Sequence, residues 1–443
     1  MGRITSVDKN TSNGSTLRFV RGAGLFLILL FLIWGAGSAG FASLLSTAAA
    51  RSGQLEAADA AVRLSPRDAH THLIRGGVMQ ANGHLSAAVA AYSRAVSLRP
   101  EDYVLWLTLA HARELNGDKE GAIAAATQAV GLAPRYAKPH WQLGNLLIRA
   151  GRVDEGFSEL RGAGASNPAL LSAFIDLAWG LSGGNVQYVM QATEPRGPAA
   201  YSALAGYFKK RGLTTEAIAM FRSAGDAAEQ ERRTYLSELL AAKRFKDAHA
   251  LWAIGHPRDP DAPPMFEPGF EQESDLDEPG FGWRSGDKAE NLHLTLDAGD
   301  PNEGRLSLQV LFNGNSDPAQ PTVSQLVSVQ PRTHYQLGFA ARTQEIVSGG
   351  LPGVVVVDSG SGGVLGQSGA LPQTSGGWRD YTIDFTTPET SEAVQIRLQR
   401  GPCGSPCPIF GRLWLDKFSL RETSTRGAGV SIKPGVERSG TPG

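Results

Sequence analysis

YVLWLTLAHARELNGDKEGAIAAATQAVGLAPRY, residues 103–136, carries the pattern that decides the N-terminal fold. Two apolar runs of helix length flank Asn116-Gly117-Asp118, and Pro134 stops the second. Glycine ends a helix by entering the left-handed region, and proline cannot continue one. The same punctuation recurs at one period. Pro66, Pro100, Pro134 and Pro168 are spaced by 34 residues, as are Gly83, Gly117 and Gly151. A fixed period of this length, with two helices per unit, predicts a solenoid in which each hairpin buries its apolar face against the next.

Working outward, the unit before offers Ala88, Tyr92, Ala95 and Pro100, and the quoted one Trp106, Leu109, Ala110, Ala122, Ala129 and Pro134. The unit after offers Leu143-Gly144, Ala163 and Pro168. This resembles the tetratricopeptide repeat (TPR), in which small residues let paired helices approach and larger apolar ones fill between them. Two positions depart from the pattern: Gly156 replaces the alanine of the close contact, and His140 stands where Trp is usual. Weaker units follow through Tyr201, Phe208, Ala217 and Phe221 to a capping unit with Tyr235, Leu239, Ala248 and Trp252, giving a solenoid over 45–255. The resemblance implies a protein or peptide partner held in a groove lined by first helices. Projected there are Leu107, His111, Glu114, Lys138, Trp141, Asn145 and Arg149. Trp141 is one position away from the core Trp slot.

No charge occurs between Arg21 and Arg51, and Leu25–Trp34 is strongly apolar. The expectation is a transmembrane helix at 22–44. Arg3, Lys9, Arg18 and Arg21 against Asp8 orient it with residues 1–21 in the cytoplasm, as a single-pass inner-membrane protein whose bulk lies outside. A cleaved signal peptide is the rival, with Ser38-Ala-Gly40 or Gly40-Phe-Ala42 as cleavage sites. Gly35-Ala-Gly37-Ser-Ala-Gly40 matches GxGxxG only literally, since no strand precedes it.

After a proline-rich linker at 256–264 the apolar period changes from 3.6 to 2. Leu292, Leu294 and Leu296 alternate, as do Leu306, Leu308, Val310 and Phe312. About eight short strands predict an antiparallel sandwich over 265–422. Gly269-Phe-Glu271, Gly282-Trp283, Gln325–Val327, Tyr335, Phe339–Arg342, Gly377-Trp378 and the closing Leu413–Leu420 follow in order. That order resembles the carbohydrate-binding modules of the galactose-binding-like jelly-roll type. The resemblance implies a structural Ca2+ at Glu271 and Asp416, against a hydrogen-bonded or salt-linked pair, and a glycan stacked on Trp283 and Tyr381. A degenerate module making protein contacts, in a pure protein scaffold, is the second reading, and a glycan-acting enzyme with its catalytic residues in the β-domain is the third. Residues 423–443 read as a disordered tail.

The two cysteines, Cys403 and Cys407, are read as a disulfide at a hairpin tip or as free thiols. A net charge of −1 gives no field for nucleic acid. HExxH, P-loop and GxSxG are absent, and the nine histidines are scattered. The expectation is a multidomain, non-enzymatic scaffold with a transmembrane helix, an all-α helix-turn-helix solenoid and an all-β jelly-roll sandwich. It would bind a protein partner and a polysaccharide, in a setting such as polysaccharide assembly or export.

Overall fold

The computed structural model describes residues 13–259, 263–272, 275–286, 292–315, 317–404 and 406–423. The chain divides into two compact units, Met1–Pro195 and Arg196–Gly443.

The first unit is helical: α1 (Asn13–Ser52), α2 (Leu55–Leu64), α3 (Ala69–Ala81), α4 (Leu85–Leu98), α5 (Tyr103–Leu115), α6 (Lys119–Leu132), α7 (Ala137–Arg149), α8 (Val153–Ser166), α9 (Leu171–Ser182) and α10 (Val186–Thr193). Start signals are local. Asp68, Asp102 and Asp118 each accept a backbone N–H of the first turn of α3, α5 and α6. Stop signals explain the glycine period: Gly83, Gly117 and Gly151 take φ of 80°, 85° and 82° just past α3, α5 and α7. The core that joins repeats is built from Ala88, Tyr92, Ala95, Leu105, Leu109, Ala122, Leu143 and Leu146.

The expected membrane span is corrected. Among the described residues no helix is long and apolar enough to cross a membrane. Residues 22–28, the start of that span, lie outside those whose side chains are described. From Gly35 onward α1 turns to small residues, short of the roughly 20 apolar ones a bilayer needs. One face of its last turns packs on protein: Ala42, Ser46 and Ala49 are almost fully covered, and Ala49 packs with Ala58 of α2 and Val78 of α3, while Phe41 and Leu44 on the other side stay exposed. The fold class loses its transmembrane element, and the single-pass inner-membrane placement falls with it. Residues 1–12 and 424–443, the tails of the sequence reading, lie outside the described residues.

The second unit joins four helices to a sandwich. The helices are α11 (Pro198–Lys210), α12 (Thr214–Ala224), α13 (Glu229–Ala241) and α14 (Phe245–Trp252). The strands are β1 (Trp283–Ser285), β2 (Leu292–Asp297), β3 (Ser307–Asn315), β4 (Val323–Ser328), β5 (His334–Ser348), β6 (Pro352–Asp358), β7 (Val364–Gln367), β8 (Arg379–Thr386), β9 (Ala393–Arg400) and β10 (Pro408–Glu422). They form two five-stranded antiparallel sheets, β1-β4-β9-β6-β7 and β2-β3-β10-β5-β8. Val310, Phe312, Leu337, Phe339, Val356, Ile396, Leu413 and Leu415 fill the space between them. Trp252, at the end of α14, is buried here. Its ring stacks on His256 at 4.2 Å and meets Phe266 and Phe281 at 5.1 and 5.7 Å. A Cβ on Gly280 would stand 2.3 Å from its Cδ1, so only glycine lets the strand side approach this indole. The start of the linker is therefore packed rather than free.

Candidate functional site

The repeats position their side chains through one recurring bond. His72 of α3, Trp106 of α5 and His140 of α7 stand 34 residues apart, and each directs a ring nitrogen at the carbonyl of the proline closing the preceding unit. The distances are 3.0 Å to Pro66, 2.8 Å to Pro100 and 2.9 Å to Pro134. This ties the start of each first helix to the end of the helix before it, which fixes one first helix relative to the next.

α5 and α7 thereby lie side by side. Gln142 Nε2 donates to the Leu107 carbonyl at 2.9 Å, and Arg149 of α7 pairs with Glu114 of α5 at 2.6 Å. His111 Nδ1 is 3.9 Å from Glu114 Oε2, so His111, Glu114 and Arg149 form one polar cluster across the two helices. Asn145 Nδ2 donates to the Trp141 carbonyl at 2.8 Å within α7. Lys138 is exposed and Trp141 and Asn145 are partly so. Leu107, only 3% exposed, is a correction: it belongs to the core beneath the face. The other six residues of the sequence reading are brought to one face. The reading missed Gln142, which the 34-residue register marks as the neighbour of Trp141, and the exposed Tyr136, whose ring lies 5.6 Å from Tyr103.

In the sandwich, Trp283 is 1% exposed, which corrects its assignment as a sugar platform. Phe270 and Phe418 cover its faces at 4.9 Å each, and its Nε1 donates to the Glu267 carbonyl at 3.0 Å. Tyr381 is half-covered, stacked on Phe339 at 5.2 Å, and burial raises its phenol above the usual value.

Glu271 and Asp416 close on one loop. Glu271 Oε1 accepts from the N–H groups of Arg305 and Leu306 at 2.9 and 3.3 Å. Asp416 Oδ2 accepts from Asn302 and Glu303 at 2.8 and 2.9 Å, and Oδ1 from Lys417 at 2.6 Å. The Arg305 N–H holds Glu271 below the usual carboxylate range, whereas burial pushes Asp416 above it. Gly304, at φ 69°, has Glu271 Oε1 2.0 Å from where a Cβ would sit, so the loop closes only with glycine. Calcium takes six to eight oxygens. Here three of the four carboxylate oxygens accept backbone N–H groups, and the fourth, Glu271 Oε2, lies 3.6 Å from Arg305 Nε. Among the described residues no group of three or more His, Cys, Asp or Glu could hold a metal. The donor set does not fit a calcium cage; it is a clasp of carboxylates on a backbone loop.

Cys403 and Cys407 are joined in a disulfide with Cα atoms 5.9 Å apart. The guanidinium of Arg400, which is buried, donates to the Cys407 carbonyl at 2.9 Å and to Ser348 Oγ at 2.8 Å, anchoring this tip to β5.

Residues 103–136 match the tetratricopeptide repeat family. No curated protein matches the chain. Among solved structures, MamA is 20% identical over 40% of this chain and 88% of its own, with a TM-score of 0.26. YrrB, a TPR protein with an unusual peptide-binding site, is 18% identical over 36% of this chain and 86% of its own, at 0.30. The first TPR of Spaghetti (RPAP3), bound to an HSP90 peptide, is 19% identical over 23% of this chain and 80% of its own, at 0.22. Residues 103–136 are thus a tetratricopeptide repeat, lying within a run of helical hairpins that a β-sandwich follows.

Proposed function

We propose that this chain is a non-catalytic adaptor that holds an extended segment of a partner protein across α5 and α7. The observation that carries the reading is the row of exposed Lys138 and partly exposed Trp141 and Asn145 on the helix whose Arg149 joins the His111–Glu114–Arg149 cluster. A partly exposed indole supplies apolar area at little cost in rotamer entropy. The Asn145 carboxamide oxygen and the Lys138 ammonium beside it suit main-chain and acidic groups of a peptide. Fixed helix-to-helix geometry means the face is formed before the partner arrives, which lowers the ordering cost of binding.

The sandwich, in this reading, resembles a carbohydrate-binding module in function as well as in sequence order, and takes a glycan. With Trp283 buried, the support moves to the polar outer face of the sheet β1-β4-β9-β6-β7. Selection of a displayed random-peptide library on the full chain tests the first half. Enriched peptides should lose binding to a Trp141→Ala, Asn145→Ala double variant; no enrichment, or equal binding, would remove the reading.

A further inference from the structure

One row of the sandwich carries two arginines that make no ion pair among the described residues. On the sheet β1-β4-β9-β6-β7, Arg284 of β1 lies opposite Ser324 of β4, and Ser324 lies opposite Arg397 of β9. Trp283, Val323, Ile396 and Leu398 of the same strands fill the core, so alternation sends the arginine row outward. At about 4.8 Å per strand the two arginines are rooted roughly 10 Å apart, with the serine between them.

Arg397 is half-buried. Its Nε donates to Gln395 Oε1 at 2.8 Å, and Gln395 Nε2 donates to Ser324 Oγ at 2.9 Å. This relay ends on a hydroxyl whose own proton has no acceptor among the described residues. Burial draws Arg397 below the usual arginine value, and among the described residues no acidic group acts against it. Arg284 makes no ion pair among the described residues either. Holding a guanidinium partly out of water costs free energy that a counter-ion must offset. Among the described residues no counter-ion is supplied, and an anionic ligand would provide one.

The place for it exists. A cavity of about 240 Å³ lies over this face, walled on its apolar side by Leu240, Phe245 and Leu326. Three residues along β6 from the Arg397 row, about 10 Å, lies Asp358. Asp358 Oδ2 accepts from the N–H and hydroxyl of Ser361 at 2.7 and 2.6 Å. Ser391 is a further side-chain partner of Asp358, and the neighbouring Ser359 Oγ is buried with no hydrogen-bond partner among the described residues. Arginine donors therefore stand at one end of the cavity, and Asp358 and Ser359 line the other.

We propose that this cavity binds a carboxylated sugar, one hexuronate residue of an acidic polysaccharide. Its carboxylate sits over Ser324 between Arg284 and Arg397, and its ring lies against the wall that Asp358 and Ser359 form. The cavity is below the roughly 300–1,000 Å³ of drug-sized sites, which suits a single compact ring. An acidic peptide fits less well. β4, β9 and β6 each have strand partners on both sides, leaving no main-chain edge to pair with, and Asp358 in the cavity wall repels further carboxylates. The inference rests on the glycan half of the function proposed above.

The test is titration calorimetry of the full chain with tetragalacturonate, with uncharged tetragalactose and with a tetraglutamate peptide. The expected result is saturable binding of tetragalacturonate alone, weakened about tenfold or more in Arg397→Gln and in the exposed Arg284→Gln, by loss of a charge-assisted bond. Equal binding of tetragalacturonate to both variants, or binding of tetraglutamate as tight as that of tetragalacturonate, overturns the inference. Binding of tetragalactose indifferent to both variants overturns the inference while sparing the glycan reading. Silence toward every sugar, with the melting transition intact, overturns both.

Discussion

His140 Nε2 lies 2.9 Å from the carbonyl oxygen of Pro134, the bond that Trp106 makes to Pro100 one repeat earlier. The histidine in a tryptophan's place is therefore a replacement of one ring N–H by another at the same acceptor. Its second nitrogen is 2.6 Å from Glu159 Oε2 on α8, so this repeat adds a tie that an indole cannot make. Replacing Trp106 or His140 with phenylalanine keeps a ring but removes the donor. Each change should cost about 1–2 kcal/mol, read as a lower urea midpoint at unchanged slope. Wild-type midpoints in both would show the bond adds nothing.

Gly144 and Gly156 face each other across α7 and α8. A Cβ on Gly156 would stand 2.8 Å from the Gly144 carbonyl oxygen and 2.5 Å from Ile148 Cγ1. Gly156→Ala restores the residue that the repeat family prefers and should gain about 1 kcal/mol of helix propensity. The expected outcome is nevertheless a net loss of about 1–2 kcal/mol, because overpacking outweighs propensity. A stabilised variant in a thermal melt would contradict this close approach of the helices.

The carboxylate clasp sets an acid limit. Glu271 is lowered from its usual 4.5 by the Arg305 N–H, and Asp297 from its usual 3.8 by the Gly299 N–H and the Trp414 indole. A lowered folded value gives stability that is complete above the usual value and is lost as pH falls through the folded one. Asp416 has the opposite sign: raised by burial, it lends stability only below its usual 3.8 and loses it as pH rises. The fall in urea midpoint should therefore begin below about pH 4.5 and be shallower in Glu271→Gln. An unchanged acid limb in that variant would contradict the clasp.

Because the clasp uses backbone donors, EDTA or added calcium should leave the melting transition where it is. A saturable, calcium-dependent rise would show that Glu271 and Asp416 hold a cation after all.

The solenoid was legible because its rules are local. One proline and one glycine per 34 residues mark helix ends, and both depend only on backbone conformation. The sandwich was legible from alternation, but β1 and β7, of three and four residues, are too short for a period to show. The α1 reading failed because apolar content alone does not say whether lipid or protein covers a helix; Ala42, Ser46 and Ala49 are covered by protein. Trp283 was misassigned for the same reason: an aromatic beside a turn reads alike whether its face is open or packed under Phe270 and Phe418. The Arg284–Ser324–Arg397 row spans 114 positions of sequence and exists only through strand pairing. Alternation of Gln395, Arg397 and Gln399 with Val394, Ile396 and Leu398 was the one signal pointing to it.

The most direct test of the adaptor reading is calorimetric titration of a library-selected peptide into the full chain and into Trp141→Ala. The account expects one site per chain and at least a tenfold weaker affinity in the variant, about 1.4 kcal/mol or more, at an unchanged melting temperature. Equal affinity for both proteins would place the peptide elsewhere and contradict the α5–α7 face as the partner site.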